Sequence, residues 1–415
     1  MFLHGSFAFY AIINSDTIMR HLKIIFVITI LAATVIFFTK CMNNAAPAAN
    51  DVRGDKYAGS QACISCHKDI SSSYAHSNHY KTSSAVNTNA ITKLVTPANN
   101  SFYFTDSSHI LIEEKDGALV QSYWVNDQQQ SSAKFDIAFG SAEKAQTYAY
   151  WKEDKLLQLP LTYFTVMNTW INSPGFTISH ANYSRVIQSR CFECHASFID
   201  KQFVQSGSLA VSEKLDANSI IYSIDCERCH GPAADHVKYQ QQNPTVKKAM
   251  FITAITSLSR QQQLDVCAVC HSGNDQSTQR SVFGFLPGDT LSSFYFPDFG
   301  PGQQEPDVHG KQLQLLQASK CFQLSKMTCT TCHNPHEENN TAIAITKCMQ
   351  CHQNSAHAVN SIKENEQAVK TMTVNKNCID CHMPLQPSKT IYFNGSAGVK
   401  NIPYLLRTHK IGIYN

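Results

Sequence analysis

The sequence predicts a mainly α fold with one small antiparallel β insert, and three observations predict it. A pentapeptide of the form Cys-x-x-Cys-His recurs seven times along the 415 residues. Six of the copies crowd into residues 191–385 at intervals of 35, 41, 62, 19 and 30 residues, room for a helix and a loop each but not for independent domains. Between the first copy and these six lies a cysteine-free stretch, residues 100–165, whose text reads as short strands.

The copies are Cys63/Cys66/His67, Cys191/Cys194/His195, Cys226/Cys229/His230, Cys267/Cys270/His271, Cys329/Cys332/His333, Cys348/Cys351/His352 and Cys378/Cys381/His382. Two cysteines three apart with histidine directly after them form the attachment pattern of c-type haem. The thiols bond to the porphyrin vinyl groups, and the adjacent imidazole is the proximal axial ligand of the iron. Zinc ribbons need paired thiolates and have no preference for that histidine. Thioredoxin-like pairs need neither the histidine nor repetition. All seven copies carry the histidine, so the cofactors expected are seven covalently bound haems, and the mainly α chain is expected to wrap a packed haem array. Cys41 and Cys321 are left over; a buried free thiol is expected at Cys321.

Composition agrees. A mean hydropathy of −0.24 suits a core made partly of porphyrin. The net charge of +3 is scattered, with no lysine–arginine block beyond the N-terminal region, so nothing points to nucleic acid.

Residues 1–41 read as an export signal ending in a candidate lipoprotein cysteine. From Met19, the charged Arg20 and Lys23 precede an apolar run, Ile24 to Phe38, whose 15 residues are short of the roughly 20 of a membrane span. Cys41 follows. Acylation there would make a lipoprotein; Lys40 is not the small residue usual before such a cysteine, and the alternative is an uncleaved N-terminal anchor. Either reading exports the chain, to the periplasmic side or the cell surface, and attaches it to a membrane.

Residues 42–56 read as a linker and 57–99 as the first haem segment, with a short helix over Asp69 to Tyr80 placing His76 and His79 on one face. In the β insert, 100–165, the runs Ser101–Thr105, His109–Glu113 and Ala118–Trp124 are strand-like, and Asp116-Gly117 marks a hairpin. His109 alternates with apolar neighbours there and is expected to be structural. Residues 166–385 form the haem-rich domain, mostly helical, entered through a loop, Trp170–Phe176, whose aromatics pack on porphyrin or on core. The tail, 386–415, is expected to pack back across it and bring His409 to a haem.

Seven irons need 14 axial ligands, and beyond the seven motif histidines the mature chain keeps nine others. That allows bis-histidine ligation throughout, which saturates the iron and suits electron passage; the competing reading leaves one iron open to a small substrate.

The text around the motifs resembles the multihaem cytochrome c-554-like family (the cytochrome c-552/4 domain group). The resemblance is carried by Gly59-Ser60-Gln61-Ala62-Cys63-Ile64-Ser65-Cys66-His67 with Tyr74, Ser77 and His79 behind it, by Cys226 to His236, by Met327 to His336, and by Cys378-Ile379-Asp380-Cys381-His382-Met383-Pro384. It covers about residues 57–90 and 185–410 and leaves the β insert outside. It implies distal ligation by His79, His236, His336 and His409, with His309, His357 and His180 completing the set. It also implies redox-protein donors and acceptors, and electron transfer along bis-histidine haems. The alternative it carries is an oxidoreductase acting on nitrite, hydroxylamine or tetrathionate at one open haem. No motif replaces its histidine by lysine, which argues against a cytochrome c nitrite reductase.

Overall fold

The structure is a computed structural model that describes residues 20, 22–31, 51–273, 275, 277–296, 305–338, 346–352, 378–399 and 402–414. Met19, Lys40, Cys41, most of the linker and His357 lie outside the described residues. Residues 22–31 are helical, and no helix among the described residues is long and apolar enough to cross a membrane. Met1–Asp51 and Val52–Asn415 are separate compact units.

In the second unit two short helices, Ser60–Ile64 and Lys68–Tyr74, precede ten strands, with a third helix, Thr88–Thr92, after the first of them: β1 (Ser83–Ala85), β2 (Ser101–Thr105), β3 (Ser108–Lys115), β4 (Ala118–Val125), β5 (Gln128–Lys134), β6 (Ile137–Phe139), β7 (Ala145–Lys152), β8 (Lys155–Gln158), β9 (Leu161–Phe164) and β10 (Thr169–Asn172). β2 to β5 form a four-stranded antiparallel meander. A six-stranded sheet runs β1-β6-β7-β9-β10, with β8 paired to β7. Period-two patterning explains the meander: along β3 Ser108, Ile110 and Ile112 are buried while His109, Leu111 and Glu113 are only half-buried. Asp116 and Gly117 take positive φ of 52° and 76° and close the β3–β4 hairpin, since a primed turn matches the strand twist and suits aspartate and glycine.

Trp170 belongs to β10, opposite Tyr163, and not to a loop. Its ring lies 5.2 Å from that of Tyr163 and 5.7 Å from that of Tyr148, inside the core shared with Phe102, Ile110, Ile112 and Leu161. Of the two surroundings expected for this aromatic, it has the protein core.

The rest of the chain is not mainly α, which corrects the expected fold class. Of the described residues 31% are helical and 27% extended. The longest helix carrying a motif is Arg260–His271, with 12 residues; those at Ser60–Ile64, Ser189–His195, Cys226–His230 and Cys378–His382 have five to seven. The haem pattern itself needs only a turn of helix, and the intervals between copies take other forms. After Cys194, β11 (Ala196–Phe198) pairs with β14 (Ile221–Tyr222), and between them β12 (Lys201–Ser206) and β13 (Ala210–Leu215) make a hairpin. The long interval after His271 contains 3-10 turns at Val282–Gly284 and Leu291–Ser293. The expected helix over Asp69 to Tyr80 is shorter, Lys68–Tyr74, and leaves both His76 and His79 beyond its end.

The tail forms β15 (Leu385–Phe393) and β16 (Ile402–Arg407), an antiparallel pair. Arg407 donates to the carbonyls of Ile379 at 2.8 Å and Met383 at 3.0 Å, and Ile411 N donates to Ser319 Oγ at 2.7 Å. The β sheets are tied to the motif region through Ser83, whose hydroxyl donates to the His195 carbonyl at 2.6 Å.

Candidate haem-binding sites

Each described motif is one tight turn. The His67 N–H donates to the Cys63 carbonyl at 2.9 Å, His333 to Cys329 at 3.0 Å and His352 to Cys348 at 3.0 Å, so the i to i+4 turn forms even where the flanking chain is not helical. On such a turn residues three and four apart share a face, which puts both thiols and the imidazole on one side. Burial pushes the Cys229 thiol up to about 11.

The motifs differ in how much protein surrounds them. Cys66, Cys191, Cys351 and Cys381 are exposed, while their motif partners Cys63, Cys194, Cys348 and Cys378 are half-buried. Cys351 shows the reason most clearly. Its N–H donates to the Cys348 carbonyl at 3.2 Å, so the turn of the sixth motif is formed. Met349 and Gln350 between the two cysteines are exposed as well, and so is His352. A turn this short has no second face to bury, and none of the apolar clusters among the described residues includes Cys351 or His352. The pattern fixes which groups share a face but not whether the protein covers that face.

The motif imidazoles do not stand alone. The His271 ring lies 6.2 Å from that of His79, His230 lies 6.0 Å from His336, and His333 lies 6.2 Å from His409. His195 sits close enough to His309 for its protonation to feel the charge there. Two imidazoles on opposite sides of one metal, with metal–nitrogen bonds of about 2.0 Å, have ring centroids about 6 Å apart. With the cysteine pairs beside them, these residues fit a covalently held haem.

The electrostatics suit ligation too. Burial first, then repulsion from His79, brings His271 down to about 4; burial and then His333 bring His409 down to about 4. Desolvation by the surrounding protein also lowers His79, His195, His309 and His336, although His195, His271 and His309 each keep solvent-exposed surface. All are therefore neutral near pH 7, the form with a lone pair for a metal. Nδ1 of His382 lies 2.7 Å from the Gly412 carbonyl, and Nδ1 of His236 lies 2.7 Å from the Met250 carbonyl. An N–H donated at Nδ1 leaves Nε2 as the coordinating atom.

The other histidines fall elsewhere. His180 is exposed, with Nδ1 2.9 Å from Ser179 Oγ, and His76 is exposed. Among the described residues no motif imidazole stands in ring contact with His236 or His180. His109 is half-buried on β3, its ring 5.2 Å from that of Tyr103. Cys321 is partly buried, near the thiols of Cys332 and Cys348.

Two groups that shape these sites carry no motif and are missed from sequence. Asp307, buried two residues before His309, accepts from Ser388 Oγ at 2.8 Å, Lys389 N at 3.0 Å and Thr390 Oγ1 at 2.6 Å, pinning the His309 segment to β15. Glu227, between the cysteines of the third motif, accepts from Ala58 N and Gly59 N at 2.9 Å each, from Ala233 N at 2.8 Å and from Arg53 at 3.1 Å. Arg53 also pairs with Asp225 at 2.7 Å. The only sequence hint is that a charged residue is spent inside a haem motif.

Residues 167–231 match the cytochrome c554 and c-prime family, and residues 312–397 match the class III cytochrome c family. No curated protein matches the chain. One solved structure, described as the outer cell wall cytochrome OcwA, is similar at 17% identity and a TM-score of 0.46, over 86% of this chain and 79% of that one.

Proposed function

We propose, from the premise that this chain is a multihaem c-type cytochrome, that it holds seven haems and passes electrons between redox partners by hopping along them. The observation that carries this reading is the facing of motif and non-motif imidazoles about 6 Å apart, as in His230 and His336 at 6.0 Å. His79, His309, His336 and His409 would then be the distal ligands opposite His271, His195, His230 and His333. The haem supplies one-electron chemistry at its iron. The chain's own residues would tether each haem through two thiols and offer it neutral imidazoles, whose protonation is disfavoured by the protein packed around them. Histidine ligands on both sides would leave no position open for a substrate. Export is supported by the charged and apolar pattern from Met19 to Phe38, and membrane attachment by lipid or N-terminal anchor belongs to the same reading.

The test is haem content together with the EPR spectrum of the oxidised, purified protein. Seven haems per chain, all low-spin, are expected. A high-spin signal near one haem in seven would instead mark an open iron, with nitrite, hydroxylamine and tetrathionate the compounds to try. The pairing of His309 has its own check. Asp307→Ala removes the anchor of that segment and leaves backbone N–H groups of β15 without their acceptor, lowering stability by about 2 kcal/mol. A high-spin fraction of up to one haem in seven should appear alongside; an all-low-spin spectrum would separate His309 from ligation.

A further inference from the structure

Arg228 stands between the cysteines of the third motif, and its buried side chain reaches into the second. The guanidinium donates to the Glu193 carbonyl, between Cys191 and Cys194, at 3.2 Å and to the Val282 carbonyl at 2.9 Å. Its Nε is buried without an acceptor, and its Cζ lies 5.6 Å from the centroid of the Phe283 ring. Among the described residues no carboxylate forms an ion pair with it.

The carboxylates around these two motifs are engaged elsewhere. Glu193 pairs with Arg190 at 2.8 Å and accepts from Ser281 Oγ at 2.6 Å. Glu213, which accepts from Ser189 Oγ at 2.6 Å, pairs with Lys201 at 3.5 Å. Asp225 accepts from the backbone N–H of Arg228 at 2.8 Å, but its carboxylate and that of Glu227 share the guanidinium of Arg53. The charges of Arg228, Arg53, Asp225 and Glu227 thus cancel in sum without being mixed. Glu227 is bonded to Ala58 N and Gly59 N, just ahead of the first motif, whereas the charge of Arg228 sits against the second.

A guanidinium in a protein stays charged. Reduction of a haem takes its iron from ferric to ferrous and removes one positive charge, so a fixed cation nearby favours the reduced state. The effect is larger where water and salt cannot screen the cation. At an effective dielectric of about 20, a unit charge about 12 Å from a redox centre shifts its equilibrium about tenfold. We propose that Arg228 sets the potentials of the haems on the second and third motifs, raising both so that electrons in the array settle there. This rests on the electron-transfer reading above. Each of the two haems takes one electron from the redox donor as its iron becomes ferrous, with no bond made or broken.

The experiment is a potentiometric titration of the full-length, haem-loaded protein, followed by its visible spectrum, for the unaltered chain and three variants. Arg228→Gln removes the charge and is expected to lower the midpoint potentials of two haems. Each should fall by about tenfold in the ratio of ferrous to ferric iron at a fixed potential, which for one electron is about 59 mV. Arg228→Lys keeps the charge while losing part of the hydrogen bonding, so its potentials should stay near those of the unaltered protein even if stability falls. Phe283→Glu leaves Arg228 intact and sets a carboxylate beside it, which should reproduce the downward shift; where Arg228→Gln fails to load haem, this variant decides alone. Unchanged potentials in Arg228→Gln overturn the proposal, and so does an equal fall in Arg228→Lys, which would make the effect one of hydrogen bonding. A high-spin haem in the unaltered protein would end the pure electron-transfer reading and leave the comparison of potentials standing.

Discussion

Glu227→Ala is expected to lower the unfolding free energy by about 3–5 kcal/mol, read as a fall in the denaturant midpoint of the haem-loaded protein. The carboxylate is 1% exposed and takes hydrogen bonds from three backbone N–H groups as well as from Arg53. Arg53 is itself 6% exposed and shared with Asp225, with its guanidinium 4.2 Å from the centroid of the Tyr57 ring. Removing Glu227 leaves three donors without an acceptor and a buried cation with half its counter-charge. No lone contact in the cluster is worth that much. The size of the loss comes from what is left unpaired, since a stranded buried donor costs about 1–3 kcal/mol. Glu227→Gln should fall between, because its carbonyl can still accept while its amide faces other donors. A loss below about 1 kcal/mol for the alanine variant would mean that water enters and takes over these bonds. The same cluster joins the segment before Cys63 to the third motif, so loosening it should also loosen the first haem from the third.

Legibility in the sequence followed the range over which each feature is determined. The haem motifs are local, and a cysteine pair with its histidine can be read from five residues. Whether the protein covers such a turn is not local, and Cys351 at the surface differs from Cys229 in its surroundings, not in its motif. The β3–β4 hairpin is local as well: Asp116 and Gly117 meet the positive-φ demand of the turn, and Lys115 pairs with Ala118 across it. The fold class misled because helix was inferred from the spacing between motifs, which bounds length but not conformation. The interval from Cys194 to Cys226 carries Phe203, Val204 and Val211 on either side of Gly207, text that favours a hairpin, and it forms β12 and β13. Trp170 was undecidable from its neighbours in the chain, because its partners Phe135, Tyr148 and Tyr163 arrive from other strands. The meeting of His79 with His271, or of His336 with His230, is of the same kind. Histidines can be counted in a sequence, but their partners are fixed by the crossing of distant segments.

His336→Ala tests that crossing most directly. Its ring lies 6.0 Å from that of His230 with the planes 7° apart, and it is brought there by the chain that follows the fifth motif, over 100 residues downstream of the iron it faces. The substitution leaves Cys226, Cys229 and His230 in place, so haem content should not change. What changes is the sixth position of one iron. About one haem in seven should turn from low-spin to high-spin in the ferric EPR spectrum, and added imidazole should restore the low-spin signal by filling the opened position. Because His336 is only half-buried, the stability change should stay within about 1–2 kcal/mol, small enough to keep the protein folded during the measurement. His76→Ala, at an exposed histidine with no place in the pairing, should leave the spectrum as it was. If the His336 variant remains fully low-spin without added imidazole, His230 has a different partner, and the 6.0 Å approach of the two rings reflects packing and not a shared metal. If the high-spin signal appears and imidazole removes it, the distal ligand of the third haem is supplied by the fifth haem's own segment. Each haem in such a weave helps to hold its neighbour's ligand, and burial of one site then depends on occupancy of the next.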